Sequence, residues 1–176
     1  MSIWEKLPSH WHNRRFMKLI EIAAIGQNRE LGYKNDLLWH FKEDMKYFRN
    51  QTKGHPVVMG RKTFESLPGL LPNRHHIVIS RNKNDFPSEV ECFQSIEAFL
   101  EAYKSSKEEI YVIGGGQIYQ EMLAYANTLL LTEIQASTKA DVYFPDFDLN
   151  QYAKTVIAQE EEQGIVYQFV KYEKLY

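Results

Sequence analysis

Two hydrophobic patterns alternate along most of the chain: short runs of branched apolar residues, and apolar residues that recur every three to four positions. Lys18–Ile25 (KLIEIAAI) shows the first pattern and predicts a buried strand. Phe41, Met45 and Phe48 show the second and predict a helix over 41–51. The same criteria predict strands at 57–59, 76–80, 110–113 and 129–134, one more around Cys92, and helices that begin at Gly60 and cover 96–103 and 117–126. The stretch 27–38 is a polar, glycine-containing connection.

The last third of the chain has a different pattern, in which apolar and polar residues alternate. Residues 152–159 and 165–174 alternate in this way and Gly164 lies between them, which predicts an antiparallel hairpin. The acidic run 160–162 is interpreted as a solvated turn. The order of elements therefore predicts an α/β fold in a single domain, with helices covering a mostly parallel sheet and the hairpin forming an antiparallel edge.

The composition is that of an ordinary globular protein. The 176 residues fit one domain, and 44% hydrophobic with 25% charged residues are typical values. The net charge of −2 argues against a broad nucleic-acid-binding surface, and the longest apolar runs are too short to span a membrane. Cys92 is the single cysteine, which excludes a disulfide framework and argues against a zinc site. We therefore expect a cytoplasmic protein with no metal and with no nucleic-acid or membrane partner.

Residues 1–16 differ from the rest of the chain. They show neither strand alternation nor a helical stripe, Pro8 interrupts them, and they lack the apolar run of a secretory signal. Met17 is followed directly by the first predicted strand. We therefore expect an N-terminal extension over 1–16 that is disordered or loosely docked, and a domain over 17–176.

Candidate chemistry begins with three glycines, Gly114, Gly115 and Gly116, where a buried strand meets a helix. Glycines allow a backbone to approach a pyrophosphate closely, and a helix N-terminus offers N–H groups that have no partner within the helix. The spacing matches neither the dinucleotide-binding fingerprint nor the phosphate-binding loop. By itself this segment is explained better by a tight structural turn than by a phosphate site.

Two further strand ends carry groups suited to an anion. The segment 60–63 (GRKT) lies at the start of a helix, and Ser80 and Arg81 end the next strand. Ligands of parallel sheets bind beyond the carboxyl ends of the strands. Solvated loop cations and capping residues would explain any one of these segments, whereas all three together favour a dinucleotide with an additional phosphate.

Asp44 is the candidate acid. It shares a helix flank with Met45 and Phe48, a flank that can face a cleft. A carboxylate in an apolar cleft is unfavourable unless donors meet it, and a heterocycle with an amino group beside a ring N–H provides two donors. The alternative is an acid that stabilises the first turn of its helix through the dipole, which is the better explanation for Glu43.

Four motifs, in order, resemble the dihydrofolate reductase family in its bacterial chromosomal form. They are AAIGQNRELGYKNDLLW, FKEDMKYFRNQT, VVMGRKTFESLPGLLPNRHHIVISR, and YVIGGGQIY followed by LLLTEI and DVYFPDF. The resemblance runs from about Met17 to the C-terminus. It implies an eight-stranded, mostly parallel sheet flanked by helices. It also implies a monomeric, NADPH-dependent oxidoreductase of one-carbon metabolism, which reduces 7,8-dihydrofolate to tetrahydrofolate and binds antifolates.

The resemblance further implies roles for individual residues. Asp44 would bind the amino group and ring nitrogen of the pterin, Thr132 would support it through its hydroxyl, and Trp39 would order a water and close the cleft. These three are the implied catalytic residues. The residues implied in substrate binding are Ile22, Asp44, Met45, Phe48, Leu67, Leu71, Arg74 and Ile113. Arg74 would pair with the glutamate carboxylate of the substrate, since a guanidinium can bind a carboxylate through two parallel hydrogen bonds.

The cofactor implied by the resemblance is NADPH. The residues implied in its binding are Ala23, Leu31, Gly60, Arg61, Lys62, Thr63, Ser80, Arg81, Gly114, Gly115, Gly116, Gln117, Ile118 and Tyr119. Arg61, Ser80 and Arg81 would bind the 2′-phosphate. No identified side chain would reach the pterin nitrogen that gains a proton, so we expect water to deliver that proton while Asp44 stays ionised.

Three positions depart from the family pattern. The family often has proline before Trp39 and again three residues after it, where this chain has Leu38 and Lys42. A basic residue is common where this chain has Gln117. The first two positions bear on the geometry of the mobile loop 26–38 at the cleft entrance, and the third bears on one pyrophosphate contact.

Two other functions would use part of the same pattern. A reductase for a ribosylated pyrimidine would share the sheet and the glycine turn, but it gives no reason for Asp44, Phe48 and Arg74 to occur together. A non-catalytic nucleotide-binding module would need only the cofactor half of the cleft, and it gives no reason for Trp39, Asp44 and Thr132.

Overall fold

The computed structural model describes residues 17–82 and 86–175, so the predicted extension over 1–16 lies outside the described residues. The helices are α1 (Lys42–Thr52), α2 (Arg61–Ser66), α3 (Ile96–Tyr103) and α4 (Gly116–Met122), with 3₁₀ turns at Leu123–Tyr125 and Leu149–Gln151. The strands are β1 (Lys18–Ile25), β2 (Glu30–Tyr33), β3 (Asp36–Leu37), β4 (Val57–Gly60), β5 (His76–Ile79), β6 (Glu91–Phe93), β7 (Glu109–Val112), β8 (Thr128–Ile134), β9 (Val142–Tyr143), β10 (Tyr152–Glu162) and β11 (Ile165–Lys174).

Eight strands form one sheet in the order β10-β11-β8-β1-β7-β4-β5-β6. The pairs from β8 to β6 are parallel, whereas β11 runs antiparallel to both β8 and β10. The predicted α/β fold with a C-terminal antiparallel hairpin is confirmed. Because the parallel strands share one direction, the loops that follow β1, β7, β4 and β5 meet at one edge of the sheet, where one ligand can contact several of them.

The central strand β1 is buried on both faces. Leu19 and Ile25 pack in a cluster that includes residues of α3 and α4, whereas Ile20 and Ile22 pack in a second cluster that includes residues of α1 and α2. Side chains alternate across a strand, so a strand between two helical layers needs apolar residues at successive positions. Glu21 is the exception on β1: it is fully buried, and burial raises the pKa of its carboxyl well above the usual value.

The predicted connection 27–38 contains two short strands, so that interpretation is corrected. β2 pairs with β3 and with β9, forming a separate three-stranded sheet. Next to these strands the Lys34 N–H donates to Asp141 Oδ2 at 3.0 Å, and the Asp141 N–H donates to the Gly32 carbonyl at 3.0 Å. β3 is a local partner of β2, whereas β9 and Asp141 lie about a hundred residues further along the chain, so the local sequence carries no signal of that second pairing.

The interpretation of 160–162 as a turn is also wrong. β10 continues through Glu162, which pairs with Ile165 of β11. The turn consists of Gln163 and Gly164, whose φ angles of 56° and 76° are typical of a two-residue hairpin turn. β10 is the edge strand of the sheet and is largely exposed, so charged residues are tolerated along it. Within the ranges described, no helix has the length and apolar character needed to cross a membrane.

Candidate active site

A cleft of about 1700 Å³ opens where β1, β4, β5 and β7 end. Residues of α1, α2, α4 and the loop 26–38 contribute to its lining. Every residue proposed from the sequence for substrate, cofactor or catalysis lines this same cleft. The structure therefore brings the two predicted binding sets together in one continuous space.

Asp44 lies in the first turn of α1 and is held by β8. The hydroxyl of Thr132 donates a hydrogen bond to Asp44 Oδ1 at 2.6 Å, and Thr132 is itself buried. Burial raises the pKa of Asp44, the Thr132 hydrogen bond opposes this, and the negative charge of Glu162 raises the pKa further. The result is an oriented carboxyl group in a partly desolvated position that lines the cleft.

An apolar wall extends from Asp44 along α1 and beyond α2. Phe48 and Leu67 pack against the buried cluster on this face of the sheet, while Met45 keeps 47% of its surface exposed. Met45, Phe48, Leu67 and Leu71 all line the cleft. Such a wall is suited to the apolar face of a flat ring system.

Arg74 is fixed at the far end of this wall. Its Nε donates to the Thr52 hydroxyl at 2.9 Å, and that hydroxyl donates to the Phe48 carbonyl at 2.8 Å. Burial lowers the pKa of Arg74, and the neighbouring charge of Arg49 lowers it further. Arg49 also lines the cleft and was not predicted, although its place four residues after Met45 in α1 was a usable signal. Two guanidinium groups at one end of an apolar wall favour an anionic ligand group.

The glycine turn lies between β7 and α4 and also lines the cleft. Gly114 has φ +127°, and a Cβ at Gly116 would lie 2.6 Å from Val142 Cγ1. The Gly60 N–H donates to the Gly114 carbonyl at 2.9 Å, which ties the turn before α2 to the turn before α4. The Gly114–Gly115 peptide bond is cis. Both α2 and α4 begin after a glycine and have no side-chain cap, so their first N–H groups lie at the cleft without a capping side chain.

Cations accompany these helix starts. Arg61 pairs with Glu65 one turn along α2, at 3.0 Å, and Lys62 follows it. Ser80 and Arg81 directly follow the neighbouring strand β5, and Gln94 Nε2 donates to the Arg81 carbonyl at 3.4 Å. Gln94 lines the cleft and was missed, although its position directly after β6 gives the same strand-end signal as Ser80.

The floor of the cleft is formed by β1 and the end of β7. The Tyr119 hydroxyl donates to the Ile22 carbonyl at 2.7 Å, which joins α4 to β1. The Ile113 N–H donates to the Val58 carbonyl at 3.0 Å, so this N–H is used within the sheet. Among the residues that the structure describes, no group of three or more His, Cys, Asp or Glu side chains could hold a metal ion.

Trp39 forms part of the entrance to the cleft. A Cβ on Gly26 would lie 2.8 Å from the Trp39 ring and 2.8 Å from Glu30 Oε1, so a larger residue here would require Trp39 or Glu30 to shift. Glu30 is buried and accepts hydrogen bonds from the Ser137 hydroxyl at 2.6 Å and the Thr138 N–H at 3.0 Å. Burial raises the pKa of Glu30, but hydrogen bonds outweigh this effect and lower it overall. The entrance loop is thus tied to residues 137–138.

Comparison with known proteins agrees with this geometry. The sequence model of a family described as dihydrofolate reductase matches residues 18–174. This chain belongs to the dihydrofolate reductase family. It is 37% identical to the dihydrofolate reductase of Bacillus subtilis over 156 residues, which is 87% of this chain and 92% of the relative. It is 38% identical to that of Neisseria gonorrhoeae over 159 residues, covering 89% and 98%.

A third relative and a solved structure give similar matches. Dihydrofolate reductase HdrB of Haloferax volcanii is 35% identical over 167 residues, covering 90% of this chain and 84% of the relative. Among solved structures, a dihydrofolate reductase from Enterococcus faecalis, complexed with NADP(H) and RAB-propyl, superposes with a TM-score of 0.81. That protein is 24% identical and the match covers 92% of this chain and 99% of the other, which supports the dihydrofolate reductase fold.

Proposed function

We propose that this protein reduces 7,8-dihydrofolate to tetrahydrofolate with NADPH. The observation that carries the proposal is the position of Asp44, which Thr132 orients at 2.6 Å next to an apolar wall. The glycine turn and the cations at the ends of β4 and β5 line the same cleft. A nucleotide-binding module without catalysis would not require this carboxyl group or the wall beside it.

The residues at the glycine turn fit a dinucleotide. A side chain is unfavourable there, since Gly114 has φ +127° and a Cβ on Gly114 or Gly115 would lie 3.3 Å from Thr63 Oγ1. Without side chains a ligand can approach the backbone of this turn, which lines the cleft, and the uncapped N–H groups of α2 and α4 favour its pyrophosphate. Arg61, Ser80 and Arg81 would hold the 2′-phosphate. When bound, NADPH supplies the hydride.

On the substrate side, Asp44 would accept two hydrogen bonds from the amino group and ring N–H of the pterin. Charge-assisted hydrogen bonds of this kind are stronger than neutral ones and fix the orientation of the ring. Met45, Phe48 and their neighbours would contact the aminobenzoyl group. Arg74, held by Thr52, would then pair with the glutamate carboxylate.

The reaction also requires a proton at the pterin nitrogen next to the carbon that receives the hydride. We assign its delivery to water, with Trp39 ordering that water at the entrance. Asp44 remains ionised at neutral pH in this scheme and favours the protonated pterin electrostatically. The protein contributes mainly by positioning the two reactants and by excluding other solvent.

Replacement of Asp44 tests the proposal directly. In Asp44→Asn we expect turnover to fall by about two orders of magnitude or more, since the charge that favours the protonated pterin is lost. Loss of NADPH absorbance on addition of dihydrofolate measures turnover, and a fluorescence titration measures the NADPH dissociation constant, which should stay within about twofold because the cofactor contacts are intact.

Glu43→Gln provides the matched control. Glu43 occupies the same first turn of α1, and this change also replaces an acid by its amide. Its turnover should resemble that of the parent. Near-normal turnover at neutral pH in Asp44→Asn would contradict the assignment, and no turnover in the parent would favour the nucleotide-binding module.

The proposal includes a monomeric enzyme in the cytoplasm. A monomer is the state that the resemblance to the dihydrofolate reductase family implies. Sedimentation analysis at working concentration would measure the oligomeric state.

A further inference from the structure

The N-terminus of α1 lacks a cap from its own sequence. Its N-cap residue is Phe41, whose side chain accepts no hydrogen bond. The first N–H groups of a helix have no partner within the helix, so leaving them without an acceptor is unfavourable. This helix carries Asp44 in its first turn, and any fraying at this end would displace that carboxyl group.

Glu162 supplies the missing acceptor from a distant part of the chain. Its Oε1 accepts from the Lys42 N–H at 2.9 Å and its Oε2 from the Glu43 N–H at 3.0 Å, across a sequence separation of about 120 residues. A carboxylate at this position also interacts favourably with the helix dipole. The end of β10 is therefore bound to the start of α1 by two charge-assisted hydrogen bonds.

Glu162 is itself held in place. The hydroxyl of the buried Tyr167 donates a short hydrogen bond to Oε2. The Tyr167 ring stacks on Phe41 with centroids 4.7 Å apart and planes 2° from parallel. The Tyr167 hydrogen bond lowers the pKa of Glu162, with help from the two α1 N–H groups, so this carboxylate is ionised at neutral pH. Hydrogen bonding and stacking together fix a negative charge close to Asp44.

The titratable groups around Asp44 come from three elements. Tyr47 and Glu43 lie on α1, Tyr167 on β11 and Glu162 on β10. Burial raises the pKa of Tyr47 to about 12 and also raises that of Tyr167, so both tyrosines are neutral at neutral pH. Glu162 is the neighbour whose charge raises the pKa of Asp44. Hydrogen bonds lower the pKa of Glu162 and burial raises that of Asp44, so a negatively charged Glu162 faces Asp44 at neutral pH.

We propose that Glu162 is a positioning residue for Asp44, which fixes the start of α1 and sets the electrostatic environment of the active-site carboxyl group. Thr132, on β8, orients the Asp44 side chain. Glu162, on the hairpin strand β10, holds the backbone at the start of the helix that carries Asp44. The kinetic consequences rest on the proposed function, whereas the effect on the Asp44 carboxyl group does not and can be measured without any substrate.

The experiment follows the titration of the Asp44 carboxyl carbon by NMR, in protein labelled at aspartate and with the signal assigned by its loss in Asp44→Asn. Glu162→Gln removes the negative charge, so Asp44 should titrate at lower pH than in the parent. Low ionic strength is needed, since salt screens charges that water can reach. The matched control is Glu161→Gln, which removes a neighbouring exposed charge on the same strand and should leave the Asp44 titration unchanged.

A second variant separates the charge from the hydrogen bonds. Proline is favourable at the first position of a helix, where its missing N–H is not needed within the helix. Lys42→Pro removes one of the two hydrogen bonds to Glu162 and keeps the Glu162 charge, but it also removes the Lys42 charge. Its Asp44 titration should therefore stay close to that of Lys42→Gln, which removes the same lysine charge and keeps the N–H. A difference between Lys42→Pro and Lys42→Gln as large as the shift in Glu162→Gln would overturn the electrostatic role.

Kinetics then test positioning. In Glu162→Gln we expect kcat/KM for dihydrofolate to fall by about tenfold, because the start of α1 is less well fixed, while NADPH affinity is retained. The pH dependence should shift in the same direction as the NMR titration. Equal Asp44 titrations in Glu162→Gln and Glu161→Gln would overturn the proposal, whether or not the parent reduces dihydrofolate. A parent that binds NADPH but does not reduce dihydrofolate would instead overturn the proposed function.

Discussion

The helix N-termini on the two sides of the cleft differ in whether a side chain of the protein accepts hydrogen bonds from their first N–H groups. On the substrate side, the first N–H groups of α1 are satisfied by the protein's own carboxylate, Glu162. On the cofactor side, α2 and α4 begin after Gly60 and Gly115 and have no side-chain cap. α3 shows the ordinary local solution, in which Ser95 accepts from the Ala98 N–H at 3.0 Å.

This contrast suggests two roles: α1 is held in position by the protein itself, whereas the N-termini of α2 and α4 are open to a ligand. Where the protein supplies the anion, the helix is held firmly and can present a side chain such as Asp44 in a defined position. Where it does not, the N–H groups and the dipole favour an anion from a ligand. An uncapped N-terminus that follows a glycine therefore indicates an anion site in this protein because other helices, α1 and α3, have side-chain caps.

Among changes that test this contrast, we expect the largest effect, on NADPH binding, from replacing Gly114. Its φ of +127° is rarely adopted by residues with a side chain, and strain of this kind amounts to about 1–3 kcal/mol. Gly114→Ala should therefore displace the turn, and NADPH binding should weaken by about 10- to 100-fold in a fluorescence titration. Gly69→Ala is the control, because Gly69 is exposed and a Cβ there would meet no atom within 4 Å. Equal affinities in the two variants would contradict a cofactor role for the turn.

Replacing Arg81 should have a smaller effect, on the preference for NADPH over NADH, and tests the cofactor side of the cleft. Arg81→Ala should reduce the preference for NADPH over NADH by about tenfold, since one charge-assisted contact to the 2′-phosphate is lost. The measurement is the ratio of kcat/KM for the two cofactors. NADH lacks the phosphate, so its own kcat/KM should be unchanged and serves as an internal control. A constant ratio would place the phosphate elsewhere.

The smallest effect concerns stability on the substrate side. Burial raises the pKa of Asp44 above the value it has in the unfolded chain. The contribution of this group to stability is therefore fully present below the unfolded pKa and is lost as pH rises through the folded pKa, so ionised Asp44 opposes folding at neutral pH. Asp44→Asn should raise the melting temperature by a few degrees at neutral pH, and the gain should shrink on acidification.

Thermal unfolding followed by circular dichroism across pH checks this expectation. Glu43→Gln is again the comparison, since it removes an acid from the same turn. A lower melting temperature for Asp44→Asn at neutral pH would mean that the charged carboxylate is stabilised by contacts stronger than its burial penalty. A higher melting temperature together with the loss of turnover in Asp44→Asn would show that the Asp44 carboxylate lowers stability and is required for catalysis.

Much of the fold could be predicted from local patterns. β1 has the boundaries expected from KLIEIAAI, α1 differs from the predicted helix by one residue at each end, and the glycine turn lies between β7 and α4 as expected. These features follow from the alternation of side chains on strands, the helical period and the freedom of glycine, all of which act over a few residues. The resemblance to dihydrofolate reductases supplied the pairing of Asp44 with Thr132, which spacing alone did not indicate.

Other features depend on which segments meet in space, and only the tertiary structure decided them. The loop 26–38 forms strands because β2 meets β9, and 160–162 continues a strand because the chain reverses at Gln163 and Gly164. Nothing near 160–162 in sequence indicates that Glu162 caps α1, since both donors lie about 120 residues earlier. Local sequence determines whether a segment prefers helix, strand or turn, and which face of that helix or strand is buried. The partner of a buried or capping group depends on the path of the whole chain, which no local pattern specifies.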